Sequence, residues 1–122
     1  MLLRMRLILK WLLSAAALLT VAYIYNGVEV KSFGSALLAA VVIGLLNIIV
    51  RPILVVLTLP VTVVTLGLFL FVINALMFWA AARLMGDGFG VTGFGAALIG
   101  SLIYSLLTIM IDSALEALFS KK

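Results

Sequence analysis

The chain has 122 residues, 67% hydrophobic and 10% charged, with a mean hydropathy of +1.46, a composition too apolar for a soluble domain of this size to bury. Its net charge of +4 points to anionic lipid headgroups and not to nucleic acid, because the basic residues cluster where a membrane surface would lie. Cysteine and histidine are both absent, which excludes disulfides, thiolate catalysis and cysteine-ligated clusters and removes the usual zinc or haem ligand and general base. No catalytic, cofactor or metal site is therefore expected.

Uncharged runs cover 11–28, 32–50, 53–82 and 88–111. Crossing a hydrocarbon layer of roughly 30 Å takes about 20 helical residues. The runs are continuously apolar and rich in Leu and Ala, where a membrane barrel would alternate in short segments. The expected fold class is all-α: a single polytopic membrane domain over 1–122 with four transmembrane helices.

The first helix is expected over 7–26, with Arg4, Arg6 and Lys10 ahead of its uncharged run, Trp11 in an inner aromatic belt and Tyr23 and Tyr25 near an outer one. The same start fits a signal peptide with a cleavage site at Thr20-Val21-Ala22, but a retained helix is expected. An exposed turn, Asn26-Gly27 through Glu29 and Lys31, leads to a second helix over 34–51. The run from 53 to 82 is longer than a bilayer is thick, so it must break. Pro52 suits a first helical turn and Pro60 lacks the N–H of a continuous helix, which predicts a short separate helix over 53–59, interfacial or re-entrant. Thr58 is expected to help satisfy backbone groups freed by Pro60.

The third span is expected over 61–83, with Trp79 near the outer belt, and the fourth over 94–112. The glycine-rich connection from Met85 to Gly95, whose one acid is Asp87, lacks Lys and Ser/Thr in phosphate-loop spacing and reads as a flexible turn. With four spans, Arg4, Arg6, Lys10, Arg51, Lys121 and Lys122 share one side and Lys31 and Arg83 the other. The excess of positive charge places both termini in the cytoplasm.

The chain also repeats itself. Residues 27–54 lie without gaps over 88–115, with identity at ten positions, among them Gly27/Gly88, Phe33/Phe94, Ala36/Ala97 and Leu54/Leu115. Duplicated segments should share a fold, so two like-oriented hairpins are expected, as repeat units of about 7–54 and 61–115.

The run Asn47-Ile48-Ile49-Val50-Arg51-Pro52-Ile53-Leu54, then Thr58-Leu59-Pro60 and Gly67-Leu68-Phe69 through Asn74, resembles the small four-helix bacterial membrane proteins known as phage holins of superfamily IV. The resemblance covers about residues 5–115. It implies a bacterial inner-membrane protein and a self-associating assembly that permeabilises the membrane.

The repeat singles out a set of polar residues. Ala36, Ala40, Gly44, Asn47 and Arg51 share one helical face, and Ala97, Ser101, Ser105, Thr108 and Asp112 repeat that stripe. Three readings stand: close helix packing with interhelical hydrogen bonds, a narrow polar pathway, or a partner-binding surface. Arg51 and Asp112 end the stripes with opposite charge, so they are expected either to pair, within a chain or between chains, or to be solvated separately. Asn74, near mid-span, is expected to make a helix-to-helix hydrogen bond.

An enzyme is not expected, because Glu29, Asp87, Asp112 and Glu116 have no membrane-depth base or nucleophile beside them. Two functions remain. One is a holin-like homo-oligomer that alters permeability; the other is a small structural or accessory subunit packed against lipid or other membrane proteins.

Overall fold

The structure is a computed structural model that describes residues 2–65, 67–86 and 88–119. Asp87 of the glycine-rich connection and the C-terminal Lys121 and Lys122 lie outside the described residues. In chain order the elements are α1 (Leu2–Ile24), β1 (Val28–Val30), α2 (Phe33–Leu57), α3 (Leu59–Val64), α4 (Phe69–Met85), β2 (Phe89–Val91) and α5 (Phe94–Phe119). The protein is all-α, with one small ribbon that composition did not announce.

Local chemistry explains the helix ends. Ser32 caps α2, its hydroxyl accepting from the Ser35 N–H at 3.1 Å. Gly86, at φ +74°, closes α4 in a conformation that a Cβ disfavours. Between α3 and α4 the chain turns at Gly67, φ +91°, and the Thr65 hydroxyl accepts from the Phe69 N–H at 3.2 Å.

The break near the prolines falls elsewhere than the sequence suggested. No separate helix occupies 53–59: α2 continues through Pro52 to Leu57, the chain leaves helical geometry at Thr58, and the short helix is Leu59–Val64. Pro52 removes one N–H from the ladder and the helix tolerates it. Pro60 sits in the first turn of α3, where its missing N–H has no intrahelical partner anyway. The Thr58 hydroxyl donates to the Leu54 carbonyl at 2.7 Å, while the Thr58 backbone N–H reaches the Val56 carbonyl that the Pro60 nitrogen would have served. As a result α2 has 25 residues, about 37 Å of helix, and α4 only 17, about 25 Å.

Two loops set the arrangement of the bundle. β1 and β2 pair antiparallel, with Val28 opposite Val91, Glu29 opposite Gly90 and Val30 opposite Phe89. Because α1 leads into β1 and α4 into β2, both helices run toward the ribbon and α2 and α5 run away from it. Each of α1 and α4 packs against both α2 and α5, so α1 lies diagonally across from α4 and α2 from α5.

The core sits in the ribbon half. Leu18, Val21, Val28, Phe78 and Phe89 are fully buried there, the rings of Phe78 and Phe89 meeting edge to face at 5.2 Å. Tyr104 leans on Phe78 at 5.7 Å. Gly100 lets α5 approach: a Cβ there would lie 2.7 Å from Val28 Cγ2 and 3.1 Å from the Phe78 ring. Away from the ribbon the packing loosens, and in α2 the last buried residue is Ile43.

Candidate functional site

The loosely packed half holds nearly all the polar side chains singled out from the sequence. It opens as two clefts of about 390 Å³ each. The first lies between α2, α4 and α5 and is lined by Asn47, Arg51, Asn74, Ser101, Ser105 and Thr108 beside Leu70, Phe71, Leu102 and Ile109. The second lies between α1, α2 and α5, with Lys10, Trp11, Ser14, Gly44 and Asp112 on its walls. Ile43, Asn47, Tyr104 and Thr108 form a septum shared by both.

Inside the first cleft the Asn74 amide donates to Ser105 Oγ at 2.7 Å and more weakly to the Ser101 carbonyl at 3.4 Å, tying α4 to α5. The other stripe hydroxyls turn back on their own helix. Ser101 donates to the Leu98 carbonyl at 3.1 Å and Thr108 to the Ser105 carbonyl at 3.0 Å. Asn47 is the exception: its Oδ1 is shut off from solvent and has no hydrogen-bond partner. Leaving such an acceptor unpaired costs about 1–3 kcal/mol.

Gly44 does not act as a close-approach residue within the chain, since a Cβ there would meet nothing within 4 Å. It opens onto the second cleft. The small positions that bring helices together are Ala36, Ala40 and Ala97, all buried in the stripes, and Gly100 outside them.

The charged ends of the stripes do not meet within the chain. Asp112 pairs with Lys10, Nζ to Oδ1 at 3.0 Å, and Glu116 pairs with Arg6 at 3.0 Å. The reason is the diagonal placement of α2 and α5: α1 is the neighbour of α5, so its lysine reaches Asp112 and Arg51 does not. Among the described residues Arg51 has neither ion pair nor hydrogen bond and stays half-buried at the mouth of the first cleft. Lys10 and Tyr104 are not among the site residues that the sequence alone singles out. Tyr104 could have been found as the one phenol in the 88–111 run, standing where the first repeat has Ile43.

The aromatic residues assigned to membrane belts make specific contacts. Trp11 Nε1 donates to the Leu37 carbonyl at 2.9 Å, joining α1 to α2. Trp79 packs on Phe94 at 5.7 Å with the Arg83 guanidinium 5.8 Å from its ring centre, at the ribbon end.

Three helices, α1, α2 and α5, are long and apolar enough to cross a membrane, α4 is a shorter apolar helix, and large apolar side chains such as Ile48, Val64 and Leu106 cover the outside. Fold and surface define a multi-pass helical membrane protein. The chain belongs to the family described as "Mycobacterial 4 TMS phage holin, superfamily IV", which matches residues 5–110. It is 38% identical over 117 residues to the uncharacterized membrane protein YvlD of Bacillus subtilis (strain 168), covering 93% of this chain and 98% of that one. It is also 45% identical over 76 residues to the uncharacterized protein SCO3922 of Streptomyces coelicolor, covering 59% and 60% of the two chains. No solved structure matches it.

Proposed function

We propose that the protein self-associates in the bacterial inner membrane and that the assembly, and not the single chain, alters permeability. Membership of a family described as holins carries the permeability reading. The filled ribbon half supports placing any pathway between chains, since Leu18, Val21, Val28, Phe78 and Phe89 close the middle of the bundle with at most 2% exposure each.

In this reading α4, extended by the turn that begins at Thr65, makes the fourth crossing. Both termini lie in the cytoplasm, because Arg4, Arg6, Lys10 and Arg51 gather at the end away from the ribbon. The halves form a parallel repeat about an axis through the ribbon. Two ribbon hydrogen bonds support that symmetry: Lys31 N–H to the Gly88 carbonyl at 3.1 Å and Thr92 N–H to the Gly27 carbonyl at 3.0 Å exchange under a 61-residue shift. Glu29 faces its own repeat equivalent, Gly90. The same shift carries Asn47 and Arg51 of the first cleft onto Thr108 and Asp112 of the second.

The test is dye release from liposomes together with subunit counting by single-molecule photobleaching. Release should rise steeply with protein-to-lipid ratio, and Ser105→Leu and Gly44→Leu, which fill the clefts, should weaken assembly and release together. Release by monomers would show the assembly mechanism to be wrong. Stable oligomers that never leak would favour the structural or accessory subunit instead.

A further inference from the structure

The two clefts have matching walls and opposite ends. The second is neutralised at its mouth by Lys10 and Asp112 at 3.0 Å, whereas the first ends in Arg51, a half-buried guanidinium that no carboxylate approaches among the described residues. Gly67 and the start of α4 stand at the same mouth, so the positive end of a 17-residue helix adds to the field of Arg51. One turn deeper, Asn47 lines the same cleft and brings a side-chain N–H donor. The remaining wall is apolar and open to the hydrocarbon: Phe71, Leu102 and Ile109 are 48%, 43% and 59% exposed.

We propose that the first cleft binds the phosphate of an anionic membrane phospholipid, with Arg51 on the phosphate, the Asn47 Nδ2 donating to an ester carbonyl of the glycerol backbone below it and the acyl chains along Leu102 and Ile109. An amphiphile is favoured over a free anion because charge, hydrogen-bonding groups and exposed apolar wall follow one another along a single cleft that opens sideways to lipid. A guanidinium suits the task because it presents several donors to phosphate oxygens in one plane. The proposal rests on the membrane placement of the chain and is independent of permeability.

The experiment uses the full chain in phosphatidylcholine nanodiscs titrated with phosphatidylglycerol, reading the thermal midpoint and, by native mass spectrometry, retained lipid. Phosphatidylglycerol should raise the midpoint by several degrees and be retained over phosphatidylcholine, while inorganic phosphate at the same concentration should do neither. Arg51→Gln should weaken half-saturation at least tenfold, and Arg4→Gln, which removes an exposed charge outside the cleft, should leave it within twofold. Asn47→Leu plugs the cleft without changing charge and should weaken binding at least fivefold, which keeps the test decisive if Arg51→Gln does not fold. Equal binding by wild type and Asn47→Leu, or equal losses in Arg4→Gln and Arg51→Gln, would overturn the site in favour of diffuse surface attraction. Competition by inorganic phosphate at equal concentration would overturn the lipid assignment.

Discussion

Gly44 and Gly100 stand in similar apolar helices, yet their surroundings set them apart. A methyl group at Gly100 would overlap Val28 and the Phe78 ring, so Gly100→Ala should destabilise the fold by about 1–3 kcal/mol in a denaturant titration in detergent. Gly44→Ala meets open space and should be neutral or slightly stabilising in the same assay, since alanine is the better helix former. Sequence spacing could place Gly44 on an inward face, but not tell a contact from a cleft. The charges teach the same lesson. Lys10 and Asp112 are about half exposed, so a double-mutant cycle of Lys10→Met with Asp112→Asn should give a coupling below about 1 kcal/mol. Arg51→Gln and Asp112→Asn should be additive, and a coupling above about 1 kcal/mol between them would point to pairing across chains. The opposite signs of Arg51 and Asp112 were visible in the sequence, whereas their neighbours depended on which helix lies beside which.

At the scale of elements, Pro52 and Pro60 separate local preference from context. Either proline could have ended α2, and local preference alone puts the short helix between them. In the folded chain Pro52 lies inside α2 and Pro60 opens α3. Pro52→Ala restores one ladder hydrogen bond and should stabilise the protein by about 1 kcal/mol or more, while Pro60→Ala should change stability little, because the N–H it supplies has no partner in a first turn. Thermal unfolding of the two variants in one detergent checks the contrast; a larger gain from Pro60→Ala would show that α3 is the strained element. The starts of α2 and α5 were legible to within a residue because turn-forming glycines precede them, whereas the starts expected at 7 and 61 lie at Leu2 and, for the third span, at Phe69. The break at Thr58 was not legible, because two competing stops eight residues apart differ only in how the rest of the bundle receives the chain.

At the scale of the whole molecule, the ribbon joins the two hairpins and gives a direct test of both pairing and orientation. The chain contains no cysteine, so Glu29→Cys with Gly90→Cys introduces the sole thiols at directly opposed positions. Oxidation should form a disulfide within one chain, and in intact cells a membrane-impermeant thiol reagent should label the reduced pair while leaving Arg4→Cys unlabelled. Interchain dimers in place of the internal link would mean that the ribbon pairs between copies, and labelling of Arg4→Cys alone would invert the topology. Hydropathy over runs of about 20 residues was enough to establish a multi-pass helical membrane protein, because a bilayer imposes its thickness on any chain that crosses it. The internal identities were also legible, being a property of the letters. What only the tertiary structure decided was adjacency: that β1 meets β2, that Lys10 and not Arg51 reaches Asp112, and that the stripes line clefts beyond Ile43. Those outcomes depend on contacts between residues far apart in the chain, and periodicity along one helix fixes which face turns inward without fixing what that face meets.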